Sequence, residues 1–323
     1  MKKIIFVLLM IFTITLASCS LMNMNDISNS NNQNTLNESS VNQNTANQNT
    51  NKVNEVKESE QTTESKNDDS AKKEFDYFNS YDKEIEAEVK SAVENASSVQ
   101  DEINKIKNIA DTYSKAIEKA NTQNEINFSS AWTFTVWDKE LNNLWKRVSD
   151  SVDKERKEYL LDEQRKWIAM KEEVMLINIG RAENSGTIYP LLQNNFLEDI
   201  TYNRCCLLAR ELAMSKHEDF TMPARSLYGT FVDNQGTKSV YSFIVTKQNV
   251  ENDNEAIISI YKLGMIEGTF NENSNGDLDF VSYDEKVKGT IKIFGWEKAV
   301  FEVTESKDSL YKVGDKFEFD FAF

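Results

Sequence analysis

The chain has 323 residues, 28% of them charged, and a formal charge of −16. By count the charge is +2 up to residue 19, −4 over 20–74, −8 over 75–219 and −6 beyond, so acidity runs through everything after the first segment. Such a surface repels a phosphate backbone, which excludes nucleic acid as a partner, and it favours solubility and encounter with a cationic protein.

Residues 1–18 read as a signal peptide. "MKKIIFVLLMIFTITLASCS" has two lysines, an apolar run from Ile4 to Leu16 and small residues before a cut site, and the run is too short to be retained as a spanning helix. Leu16, Ala17, Ser18 and Cys19 resemble a bacterial lipobox, which implies cleavage before Cys19 and a diacylglycerol anchor on its thiol. The expected location is extracytoplasmic, in the cell envelope, with the membrane held through that lipid. From residue 19 to 74 the chain is dominated by Asn, Ser, Thr, Gln and Glu and lacks the apolar surface needed to offset ordering entropy. It reads as a disordered tether with an r.m.s. reach of roughly 40 Å.

A helical domain is expected over 75–219. Ile85, Val89, Ala92, Ala96, Val99, Ile103, Ile106, Ala110, Tyr113, Ile117 and Ala120 step alternately by four and three, which predicts one long helix. Its seam is too rich in alanine for a free-standing coiled coil, so the partner is the rest of the chain or a second copy. Three further helices follow. The first is capped by Ser129 or Ser130 and carries Phe134, Trp137, Leu141, Leu144, Trp145 and Val148. The second runs from about Lys154 to Ile179 with Gly180 as its stop, and "RAENSGTIYP" is a loop before a last helix from Leu191. These make a helical bundle.

Past Pro223 the period changes to two. About eight runs, from "SLYGTFVD" to "KFEFDFAF", are rich in β-branched and aromatic residues and are separated by turns such as "DNQG", "NSNGD" and "KVGD". Residues 220–323 therefore predict a small antiparallel barrel or sandwich, making the fold class α+β. Glycines 229, 268 and 289, each followed by threonine, read as bends or bulges.

Chemistry is sparse. The only histidine, His217, falls at a helix end, where a side chain of that kind complements the helix dipole, and no second histidine completes a zinc helix. Cys205 and Cys206 are adjacent, without a nucleophile signature, and read as small buried thiols. "NENSNGDLDFVS" imitates a calcium loop but puts amides where acids are needed and Ser282 where a bidentate glutamate belongs, so it reads as a hairpin turn. Among 53 acids no carboxylate pair stands out. No catalytic residue, metal or cofactor is assigned, and the chain is read as a non-enzyme.

"WDKELNNLW" at 137, "LDEQRKWI" at 161, "GTIYP" at 186 and "DITYNRCCLLARELA" at 199 together resemble the N-terminal domain of the lysozyme inhibitor LprI family, over roughly 125 to 215. The family pattern falls on Asp138, Leu141 and Asn142, on Gln164, Arg165 and Trp167, on Gly186 and Thr187, and on Thr201 and Arg204. The chain departs from it in having no paired cysteines and in carrying Lys171 and Glu172 after the tryptophan. The resemblance implies a binding protein whose partner is lysozyme or a similar cationic envelope-attacking protein; a structural or adhesive envelope module is the alternative. Gln164, Trp167 and Lys171 form one helical stripe with Ile168 beside it, read as a buried seam in which Gln164 satisfies the Trp167 indole. Tyr189, in the bundle loop, and Trp296, at a strand turn, are the aromatics proposed to bury in the partner.

Overall fold

The structure, a computed structural model, describes residues 74–249 and 251–323. The signal peptide, Cys19 and the tether except Glu74 lie outside the described residues.

Helix α1 (Asp82–Glu94) and helix α2 (Val99–Ile117) replace the one long helix that the unbroken stripe predicts. The chain leaves helical geometry at Asn95, and Ser98 is extended, with its hydroxyl accepting from Asp101 N at 3.1 Å. Short polar side chains offer the backbone an alternative to the helix, and "NASS" supplies four small residues in a row. The apolar positions are buried on both sides of the break, from Ile85 and Val89 to Ile106, Tyr113 and Ile117, while Ala96 in the turn is only half-buried. Both helices lie against α4 (Ala131–Ser151), so the partner of the stripe is the chain itself.

A short α3 (Gln123–Ser129), which the periodicity did not reveal, precedes α4. It opens on a capping box of Thr122 and Glu125, satisfying two helix-end donors reciprocally. Ser130 does stand at the N-cap position of α4, but with helical backbone and no capping bond: the Ser129 and Ser130 hydroxyls donate back to Glu125 O (2.7 Å) and Asn127 O (2.9 Å). Helix α5 (Lys154–Ile179) starts at Asp153, which accepts from Arg156 N, and stops at Gly180 with φ 71°. The segment expected as a loop holds a single turn, α6 (Ala182–Ser185), and a 3-10 turn (Gly186–Ile188). Helix α7 (Tyr189–Lys216) begins two residues earlier than expected, because Pro190 sits in the first turn, where its missing N–H costs nothing. Helices α4 and α7 pack along most of their length, burying Val136, Leu144 and Val148 against Leu208, Leu212 and the two cysteines.

The remaining chain forms nine antiparallel strands: β1 (Gly229–Asp233), β2 (Ser242–Gln248), β3 (Asn254–Ile260), β4 (Gly264–Glu272), β5 (Leu278–Ser282), β6 (Val287–Phe294), β7 (Lys298–Ser306), β8 (Lys316–Phe319) and β9 (Phe321–Ala322). Their order is β8-β7-β6-β5-β4-β3-β2-β1-β9. The last run is one strand broken at Asp320, whose first half pairs with β7 and second half with β1. That nearly closes the sheet into a barrel and removes the exposed edges that invite unwanted pairing. Phe231, Ile258, Phe280, Phe301 and Phe319 fill the interior. At Gly289 the β6–β7 register shifts, as a bulge requires, and a Cβ would enter the Phe301 ring. Gly268 has no bulge beside it; it lets the Val281 carbonyl of β5 approach where any Cβ would collide. The calcium-loop look-alike is the β4–β5 hairpin, with Asn273 Oδ1 accepting from Asn275 N and Asp277 N (2.9 and 3.2 Å) and Gly276 at φ 82°.

Candidate functional site

The residues of the family pattern come together as scaffold. In α4, Asn142 Nδ2 donates to Asp138 O (2.9 Å) and Oδ2 (3.3 Å) one turn below, beside buried Leu141. Between α5 and α7, Arg204 Nε donates to Gln164 Oε1 at 2.7 Å, with both side chains buried. Gln164 therefore serves Arg204, where the sequence reading gave it to the Trp167 indole. Thr201 donates to Leu197 O at 3.0 Å, Gly186 turns the chain at φ 57°, and Arg165 is exposed.

Trp167 is buried and stacks on Phe323 beyond β9, with ring centroids 6.4 Å apart and planes at 18°. Lys171 Nζ lies 5.7 Å from the same ring, while Ile168, expected in the seam, is exposed, because one residue on from Trp167 lies 100° around the helix. Gln164→Ala leaves a buried guanidinium N–H without its acceptor, and its expected cost is about 1–3 kcal/mol in urea unfolding.

The two aromatics chosen for binding are not neighbours. Tyr189 opens α7, whereas Trp296 lies in the β6–β7 turn close to Arg210 near the other end, through Glu297 (3.8 Å). Twenty-one helical residues separate the two regions by roughly 30 Å, so they do not share one contact. Trp296 is half-buried and engaged: its N–H donates to Pro223 O (3.1 Å) and the Arg225 guanidinium sits 4.9 Å over its ring. It lines a cleft of about 420 Å³ with Arg156, Glu163, Arg204, Arg210 and Glu211. Arg156 grips Glu211 with two bonds, 2.9 and 2.6 Å. Opposite charges already pair in this cleft, so it ties α5 and α7 to the barrel more directly than it offers room to a ligand.

Besides Glu211, three more acids missing from the sequence reading sit inside the bundle. Glu102 of α2 and Glu140 of α4 are both buried and share Arg147, whose guanidinium makes two bonds to Glu102 and lies 3.8 Å from Glu140. Burial, then the neighbouring Glu102 carboxyl, hold the Glu140 carboxyl well above the ordinary range, against the pull of Arg147. Glu198 of α7 is buried against Thr133 and Trp137, and burial raises it to about 8. The signal was there: Glu102 lies three after Val99 and four before Ile106, Val136, Glu140 and Leu144 are four apart, and Glu198 falls three before Thr201 and seven before Cys205, so each acid lies on a buried ridge. Neither Glu102 nor Glu140 lines the cleft at Trp296, and the pair has the setting of a structural contact. Cys205 and Cys206 are buried thiols outside any disulfide; Cys205 Sγ donates to Trp137 O (3.4 Å), and burial pushes Cys206 up to about 12.

Fold and site together define an α+β protein in which a helical bundle with a polar-locked core is bonded to a nearly closed barrel. Residues 114–208 match the family model described as lysozyme inhibitor LprI. The match takes in α4, α5 and most of α7, including every residue of the pattern above, and leaves out α1 and the barrel. No curated protein and no solved structure matches the chain.

Proposed function

We propose that this chain is a lipid-anchored, extracytoplasmic protein that binds a cationic envelope-attacking protein, lysozyme being the candidate, and so inhibits it. The match of residues 114–208 to a lysozyme inhibitor family carries the reading. The charge of −16 supports it, since a strongly acidic receptor speeds and selects a basic partner. On this reading Cys19 bears the anchor, residues 20–74 give it reach, and the work is grip and not turnover.

The test mixes the purified chain with a c-type lysozyme and a cell-wall suspension. Slowed lysis, weakening as salt rises from 50 to 500 mM because screening shortens the reach of the charges, is the expected result. Unchanged lysis would leave the envelope-module alternative, and wall turnover by the chain alone would mean an enzyme. Mass spectrometry of the membrane-extracted protein should find a diacylglyceryl group at Cys19; an unmodified, freely released protein would end the anchoring half of the proposal.

A further inference from the structure

The barrel's outer face is unevenly covered. Outward positions on β1 and β2, among them Thr230, Val232 and Val245, are buried, and α5 reaches that side through Asn178 to the Thr230 hydroxyl (3.1 Å) and Glu173 to Val240 N (3.3 Å). The apolar character continues beyond them. Val245 pairs with Ile257 of β3, which pairs with Glu267 of β4, whose carbonyl accepts from Tyr283 N after β5. One row over, Phe243 pairs with Ser259 and Ser259 with Met265. Met265 is 57% exposed and Tyr283 55%, with Tyr261 48% exposed at the adjoining turn. A solvated barrel face calls for polar side chains at these outward positions.

The face is also pre-set. The Tyr283 hydroxyl donates to Glu255 Oε1 (2.9 Å) on β3, so the ring lies across β4, and Lys247 of β2 holds the other oxygen of Glu255 at 3.2 Å. Glu267, between Met265 and Tyr283, is exposed and forms no ion pair with the described residues. A fixed aromatic ring, a flexible thioether and an available carboxylate suit a lysine or arginine, whose stem packs on the apolar pair while its charge meets the acid.

We infer that the outer face of β3, β4 and β5 is the surface that grips a cationic protein, with Glu267 receiving a basic side chain of the partner and Met265 and Tyr283 burying around it. This rests on the binding reading above but places the contact on the barrel, outside the family match. The probes are a c-type lysozyme and cytochrome c, titrated against the whole chain and three variants. Glu267→Lys should weaken binding about tenfold or more and Met265→Ser, which changes no charge, about threefold or more, both with unchanged melting. Glu305→Lys, the same charge change on β7, should stay within about twofold.

Equal losses for the two charge reversals with Met265→Ser silent would mean general electrostatics and would overturn the face while leaving the binding function intact. Cytochrome c bound through the face with lysozyme ignored would keep the face and remove lysozyme as the candidate. Binding of neither probe would overturn both.

Discussion

Trp167→Ala is expected to destabilise the protein by about 3–5 kcal/mol, the range for truncating a large buried aromatic. The indole is a joint between two parts of the chain, because it stacks on Phe323 just past β9. The main-chain oxygen of Phe323 also accepts from Asn203 Nδ2 (3.1 Å) and Arg225 Nη2 (3.2 Å), so helix and barrel share one clasp. Phe323→Ala should therefore cost less after Trp167→Ala than in the wild type, with a coupling of about 1 kcal/mol in a double-mutant cycle read by urea unfolding. Strict additivity would show that the two rings stabilise their own parts separately. Trp167→Ala that melts as the wild type but no longer binds lysozyme would instead make the indole a contact residue.

How far the sequence carries can be followed residue by residue. The apolar stripe from Ile85 to Ala120 named the buried positions correctly except at Ala96 and Ala120, because burial depends on spacing, and the spacing happens to keep phase across the turn at 95–98. What the stripe hid was the break, although Ser98 with Asp101 three residues later is a cap signal. Thr122 with Glu125 is the same signal, and reading it would have found α3. The pairing of Gln164 with Arg204 was less accessible: both belong to the family pattern, but their meeting depends on the antiparallel register of α5 and α7.

In the barrel, alternation marked the strands, yet "FEFDFAF" alternates without interruption. Its break at Asp320 comes from having to satisfy β7 on one side and β1 on the other, a demand of closure that no local pattern carries. The outer face of β3 to β5 was legible in principle, since Met265, Glu267 and Tyr283 stand at outward positions. Recognising it requires knowing that α5 meets the barrel at Thr230 and Val240, while Met265, Glu267 and Tyr283 stay exposed.

Stability is expected to fall as pH rises from about 5 to 8, and Glu198 is one of three carboxyls raised by burial that cause it, with Glu140 and Asp199. Buried in α7, it keeps its proton up to about pH 8, whereas in the unfolded chain it releases it near 4.5. Below the unfolded value both states are protonated and the group costs nothing; through the window the unfolded state alone gains by ionising; above the folded value the cost is complete. Each pH unit in that window removes up to about 1.4 kcal/mol per group, a few kcal/mol in all for Glu198, and Glu140 and Asp199 add in the same direction. Asp101 and Asp284 act oppositely and lower down: hydrogen bonds to Lys105 and Lys286 hold them near 2, so their contribution is lost only as pH falls below about 4. The maximum should thus lie near pH 4–5. Repulsion among the surface acids would also weaken the fold at high pH, but salt screens that effect and reaches a buried carboxyl far less. Glu198→Gln keeps a hydrogen-bonding oxygen without the charge. In 0.5 M salt it should match the wild type at pH 5, exceed it by a few kcal/mol at pH 8, and lessen the fall of the urea midpoint between them, the remainder belonging to Glu140 and Asp199. A wild-type midpoint that holds or rises over that range, or a variant that follows the wild-type curve, would show that Glu198 ionises in the folded bundle and that the cavity around it admits water.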